Sequence, residues 1–160
     1  MGRAVYPGSF DPPTCGHLDV IRRATAIFGG LDVLVAINPE RDALFTPEER
    51  RDLLLQCVEE EGIAGVNVHC RNGFATEYCQ EVGAEVIVRG VRDTKDFEAE
   101  RQMAWFNHRL GKGIETIFLP ASPHYLAVSA SGIRHVAAFG GNLEGLVPSA
   151  VIQALKNFQN

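Results

Sequence analysis

The sequence predicts a single-domain, Rossmann-like α/β fold, a five-stranded parallel sheet with helices on both faces. Three observations predict it. Strand and helix patterns alternate along all 160 residues. The apolar run Leu31–Ile37 is continuous and rich in β-branched residues, as in a parallel strand buried on both faces. Strands separated by helical stretches of about 10–15 residues imply βαβ units, whose crossovers are right-handed. The length fits one core, so residues 1–160 are read as one domain.

The elements follow in order. Arg3–Tyr6 reads as a short strand, and the turn-rich segment Pro7–Gly16 as the loop after it. From His17 to Phe28 the period becomes helical, with Leu18, Ile21, Ala24 and Phe28 on one face and Gly29-Gly30 as the stop. After Leu31–Ile37, Thr46 is a helix N-cap, Pro47 takes the first helical position and Glu49 completes a capping box. Leu53, Leu54, Cys57 and Val58 are that helix's apolar face. Val66–Cys70, Glu85–Val88 and Glu115–Leu119 read as strands. Phe74–Val82, Lys95–Leu110, Ser131–Phe139 and Pro148–Phe158 read as helices. In such sheets ligands bind beyond the carboxyl ends of the strands, which singles out the loops after residues 6, 37, 70, 88 and 119.

Composition narrows the function. The formal net charge is −5. A chain whose main partner is a nucleic-acid backbone carries a basic excess, so nucleic acid is excluded as that partner and any phosphate is expected at a local site. No apolar run is long enough to span a membrane. Cys15, Cys57, Cys70 and Cys79 form no C-x-x-C pair, which argues against a zinc site and for reduced thiols in a cytoplasmic protein. The N-terminus lacks the pattern of a signal peptide, and Tyr6 stands where a myristoylation motif wants Ser or Thr.

The first strand, loop and helix carry the strongest chemical signal. Thr14-x-Gly16-His17 opens a helix, and Gly8 and Gly16 let backbone approach a ligand closely. A helix N-terminus offers free N–H groups and partial positive charge, which suit a phosphate. His17 can donate to a phosphoryl oxygen there, either as a neutral ring or as a cation. Arg89 and Arg92 follow a buried strand, where anions bind. Ser129 and Ser131 can donate to phosphate, cap the helix that follows, or do both.

These blocks resemble the bacterial phosphopantetheine adenylyltransferase family, among the nucleotidyltransferases with an H-x-G-H or T-x-G-H loop. The matching residues are Tyr6–His17, Phe45-Thr46-Pro47-Glu48-Glu49-Arg50, Val88–Arg92 with Asp96-Phe97-Glu98-x-Glu100, and Val128–Arg134. The resemblance covers nearly the whole chain. It implies that the phosphate of 4′-phosphopantetheine attacks the α-phosphorus of ATP in line, without a covalent intermediate, giving dephospho-coenzyme A and pyrophosphate. It implies that His17 stabilises the transition state, that Ser9 touches both substrates and that Phe10 contributes through its backbone. Arg89, Arg41 and Ala75 would hold phosphopantetheine. Gly90, Val91 and Arg92 would meet the ATP phosphates, and Glu100 the nucleoside. Tyr125, Leu126, Ala127, Val128, Ser129, Ala130 and Ser131 would form the second nucleotide loop, with Arg134 facing the polyphosphate. Met103 and Asn107 would line the same channel. Trp105 is read as packing, and His69, His108, His124 and His135 receive no catalytic role.

The resemblance further implies magnesium brought with ATP, feedback inhibition by coenzyme A and a homohexamer. Two positions depart from the pattern. Arg41 stands where relatives commonly have Lys, and Ala130 where they usually have a further Ser. Two other readings share some of these features: a nicotinamide-mononucleotide adenylyltransferase or cytidylyltransferase, and a nucleotide-binding module without turnover.

Overall fold

The computed structural model describes residues 2–37 and 42–157. The expected architecture is present. Five strands, β1 (Arg3–Gly8), β2 (Leu31–Ile37), β3 (Val66–Asn72), β4 (Ala84–Val91) and β5 (Glu115–Pro120), form one sheet in the order β3-β2-β1-β4-β5. All neighbouring pairs are parallel. Six helices accompany them: α1 (Cys15–Phe28), α2 (Pro47–Glu60), α3 (Ala75–Val82), α4 (Thr94–Leu110), α5 (Ala130–Ala138) and α6 (Ser149–Asn157).

Local chemistry sets the helix ends. Thr14 caps α1 and Thr46 caps α2, each through its hydroxyl and the N3 backbone N–H. Gly29 closes α1 at φ 75°, a left-handed value at which a side chain would be strained. Asp93 caps α4 and Ser129 caps α5.

The period-two alternation of the central strands splits the core. Ala4, Tyr6, Val33, Val35 and Val88 pack with Leu18, Ile21 and Ala24 of α1, Leu54 and Cys57 of α2, and Val151 and Leu155 of α6. Val5, Leu34 and Ile87 point the other way, against Tyr78 and Cys79 of α3. The sheet is thus covered on both faces. Gly90 permits the closest approach of α1 to β4, since a Cβ there would lie 2.9 Å from Val20 Cγ2.

Two expectations need correction. Arg89 and Gly90 do not lie past the fourth strand but within it, because β4 continues to pair with β5 as far as Val91 opposite Pro120. Trp105 is not packed within the chain: it is 59% exposed, beside Phe106 and under the Arg109 guanidinium. α4 has no fully buried residue and leaves Met103, Trp105, Phe106 and Leu110 exposed.

At the amino-terminal ends of the strands, away from the ligand edge, Asp32 is buried. It accepts from Asn67 Nδ2 at 2.9 Å and Tyr78 Oη at 3.2 Å, and pairs with Arg3 Nε at 2.9 Å. Asp32→Ala strips the acceptor from a buried hydroxyl and an amide. Denaturant unfolding should show a loss of roughly 1–3 kcal/mol, while ATP affinity of the folded protein stays unchanged.

Candidate active site

Strand order reverses direction around β1, which has β2 on one side and β4 on the other. That switch point is where open α/β sheets leave a crevice, and here it holds a cleft of about 180 Å³. Its floor is the end of β1 and the first loop, Tyr6 to Ser9 with Thr14, Gly16 and His17. Arg89, Gly90 and Arg92 come from β4 and its end, and Asp96 and Glu100 from the first turns of α4. Ala121, Tyr125, Val128 and Ala130 form the far wall.

The first loop is tightly built. Phe10 takes φ 48°, a left-handed conformation uncommon outside glycine. Its ring is buried edge-on between Tyr6 and His17, with centroids 5.3 and 5.0 Å apart. Gly8 makes room for that ring, since a Cβ there would meet it at 2.9 Å. Three arginines from three elements donate to carbonyls at the end of β1 and in this loop. Arg89 of β4 reaches Pro7 O, Arg50 of α2 reaches Ser9 O at 2.8 Å, and Arg134 of α5 reaches Asp11 O. The Asp11 carboxylate accepts from the backbone N–H groups of Leu44 and Phe45 at 2.8 and 2.9 Å.

The T-x-G-H motif forms a reciprocal cap. His17 N–H donates to Thr14 Oγ1 at 3.2 Å, and the Thr14 backbone N–H donates to His17 Nδ1 at 3.0 Å. A ring nitrogen that accepts cannot carry the proton, so the neutral imidazole holds it on Nε2. Burial lowers the His17 pKa to about 4, and the Arg89 and Arg92 charges push in the same direction. Of the two states open in the sequence, the structure therefore favours the neutral donor at neutral pH. Burial also raises the Tyr6 hydroxyl to about 12, so it stays protonated.

The cations of the cleft are paired. Arg89 Nε donates to Glu100 Oε2 at 2.6 Å, and a second nitrogen meets Oε1. Burial pulls the Arg89 pKa down, but its bonds to Glu100 and the Glu100 charge together lift it above the ordinary value. The Arg92 backbone N–H donates to Asp96 Oδ2 at 3.2 Å, and its Nε approaches the same oxygen at 3.4 Å.

Ser9, His17, Arg89, Gly90, Arg92, Glu100, Tyr125, Val128 and Ala130 thus meet at one cleft. Phe10 supports it from beneath, and Val91 ends the strand beside it. Ser129 caps α5 through Gly132 N–H at 3.1 Å and lies 3.3 Å from Ser131 Oγ. Leu126 and Ala127 are exposed at the rim of that loop. Ala75 at the start of α3 and Met103 and Asn107 on α4 do not line the cleft. Arg41 lies outside the described residues. Sequence reading missed Asp11, Arg50 and the positioning trio Asp19, Arg23 and Ser122. In that trio Asp19 accepts from Ser122 Oγ at 2.8 Å and Arg23 at 3.1 Å, and Arg23 also donates to Pro120 O. This pins the Ala121 wall to α1. Asp11 and Arg50 stand within the Tyr6–His17 and Phe45–Arg50 blocks, which was the signal available for them.

Comparison with known proteins agrees with this architecture. Residues 5–136 match the family model described as cytidylyltransferase-like. The phosphopantetheine adenylyltransferase of Alkaliphilus oremlandii is 46% identical over 98% of this chain and 99% of its own. That of Bifidobacterium longum is 43% identical over 97% and 93%, and that of Clostridium kluyveri 45% over 95% and 92%. Among solved structures, a Vibrio parahaemolyticus protein assigned as a nicotinate-nucleotide adenylyltransferase superposes with a TM-score of 0.65 at 16% identity, covering 97% of this chain and 99% of its own. At that identity the likeness is one of fold.

The His17 pKa fixes a sign for pH dependence. The unfolded imidazole titrates near 6.5 and the folded one near 4, so stability from the neutral ring is full above about 6.5 and is lost as pH falls toward 4. His17→Ala should flatten that part of the profile, read as the difference in thermal midpoint between pH 7 and 4.5. Imidazole NMR of the native protein should show one ring titrating near 4.

Proposed function

The chain belongs to the cytidylyltransferase-like family and, within it, to the phosphopantetheine adenylyltransferases, and from that premise we propose that it joins the adenylyl group of ATP to 4′-phosphopantetheine, releasing pyrophosphate and dephospho-coenzyme A. The observation that carries the reading is His17: a neutral Nε2–H donor, oriented by the Thr14 backbone, at the start of a helix and beside two arginines.

In-line attack on the α-phosphorus asks the protein for donors and positive charge rather than a nucleophile. We assign His17 to the developing charge on the α-phosphate and Ser9 to both substrates. Arg89 and Arg41, with Ala75, serve the acceptor. Gly90, Val91, Arg92, Glu100 and the Tyr125–Ser131 segment serve ATP. Ala130, which lacks a side-chain donor, leaves that loop its backbone N–H and the hydroxyls of Ser129 and Ser131. Arg134 acts on the first loop through Asp11.

Magnesium would arrive with ATP and neutralise phosphate charge. Both cleft carboxylates, Asp96 and Glu100, are engaged by arginines, and among the described residues no group of three His, Cys, Asp or Glu side chains could hold a metal. Those facts support an ion held by phosphate oxygens and water. Coenzyme A, which contains the product's whole structure, would inhibit by occupying the same cleft, and we place the activity in the cytoplasm. No described helix is long and apolar enough to cross a membrane.

We include homohexamer assembly in the proposal, supported by the exposed apolar residues of α4. Sedimentation of the purified protein should give a single species of six chains. Trp105→Glu should split it into smaller species; an unchanged hexamer would exclude α4 from the interface.

The direct test mixes protein, Mg-ATP and 4′-phosphopantetheine and follows dephospho-coenzyme A and pyrophosphate. Parallel mixtures with nicotinamide mononucleotide, or CTP and glycerol 3-phosphate, should stay silent. Product only in a parallel mixture would reassign the acceptor. His17→Ala should lower kcat by about 10²–10³-fold while leaving acceptor binding in place.

A further inference from the structure

Arg50 closes the Phe45–Arg50 block, yet it lines no part of the cleft. Its residue is only 4% exposed, and a buried guanidinium needs partners. The partners are carbonyls. Arg50 Nε lies 3.4 Å from Thr46 O, one turn back in its own helix, and Arg50 Nη1 lies 2.8 Å from Ser9 O. Among the described residues no carboxylate forms an ion pair with it. A buried side chain with no carboxylate partner among the described residues, and with its shorter bond to a loop 41 residues away, suits a task at that loop better than stability alone.

The task follows from what Ser9 precedes. Phe10 is held in the left-handed region, a strain that persists only where the surroundings over-determine it. Its two flanks are fixed by charged side chains: Arg50 on Ser9 O before it, and the Asp11 carboxylate on the Leu44 and Phe45 N–H groups after it. The Phe10 ring in turn lies against His17.

We propose that Arg50 is a positioning residue for adenylyl transfer, acting through the Ser9 carbonyl to hold Ser9 and the Phe10–His17 contact at the cleft. The proposal rests on the reading of the cleft as the adenylyl-transfer site.

Arg50→Met keeps most of the stem and removes every donor, whereas Arg50→Lys keeps the charge and one donor nitrogen but loses the fork. For Arg50→Met we expect kcat to fall by about tenfold or more, with KM for ATP changed less than about threefold, as for a misplaced catalytic group. Arg50→Lys should recover part of that loss. In substrate-free protein the His17 imidazole pKa should move up toward the ordinary range in Arg50→Met, because Phe10 no longer shields the ring. A purely structural role would lower the thermal midpoint and leave both kcat per folded molecule and the His17 titration in place. That result overturns the proposal. Should Arg50→Met fail to fold, Arg50→Lys with wild-type kcat and wild-type His17 titration overturns it equally. A wild-type protein that makes no dephospho-coenzyme A refutes the acceptor reading instead, and the His17 titration still decides the role of Arg50.

Discussion

Under the proposed function the first loop lies against phosphate and must keep its own carbonyl oxygens from facing the anion, and three guanidinium groups hold those carbonyls. Pro7, Ser9 and Asp11, at every second position, each have their carbonyl taken by an arginine from a different element. The arrangement works only because the topology brings those elements together. β4 lies beside β1 in the sheet although two strands separate them in sequence, which puts Arg89 within reach of Pro7. α2 follows β2 and carries Arg50 beneath Ser9, and α5 carries Arg134 to Asp11. The strand order is thus as much a condition for the site as any side chain that faces it.

The same loop explains the state of His17. In a capping box the N3 side chain is usually Glu or Gln, accepting from the N-cap backbone N–H. Here the imidazole Nδ1 takes that acceptor role. A carboxylate would add negative charge where the proposed reaction puts phosphate, whereas a neutral imidazole satisfies the N–H and presents a donor at its other nitrogen. Burial by Phe10 and the nearness of Arg89 and Arg92 keep the ring neutral. Capping, packing and electrostatics therefore converge on one tautomer.

Features with local causes were legible in the sequence. The Leu31–Ile37 strand matches its expected bounds, the Thr46-Pro47-x-Glu49 cap forms as read, and the T-x-G-H turn sits at the cleft. Features set by distant partners were not legible. Arg89 reads as a loop residue because a charged residue and a glycine end an apolar run, yet pairing with β5 keeps both in the strand. Trp105 reads as core by residue type alone, and only the placement of α4 at the margin of the sheet exposes it. Arg50 and Asp11 stand inside matched blocks, but those blocks give no sign of what either residue holds. Their partners lie 41 and about 33 residues away, a distance that only the folded chain closes.

The charge balance of the cleft bears on how an acidic protein would gather the two anions of the proposed reaction. Among the described lining residues the ionised side chains are Arg89 and Arg92 against Asp96 and Glu100, which sum to zero with His17 neutral. Pairing spares the empty cleft the cost of isolated cations in a partly buried site. It also means that an incoming phosphate meets guanidiniums already engaged, and must share or displace a carboxylate to gain their full attraction. For the proposed reaction, net attraction would then come from elsewhere: the positive end of the α1 dipole, cations set behind the lining such as Arg50, and the ion that accompanies the nucleotide. Under the proposed function a lone phosphate would gain little against paired arginines, whereas a polyphosphate that brings its own cation and spans the helix terminus would gain from several weak sources at once.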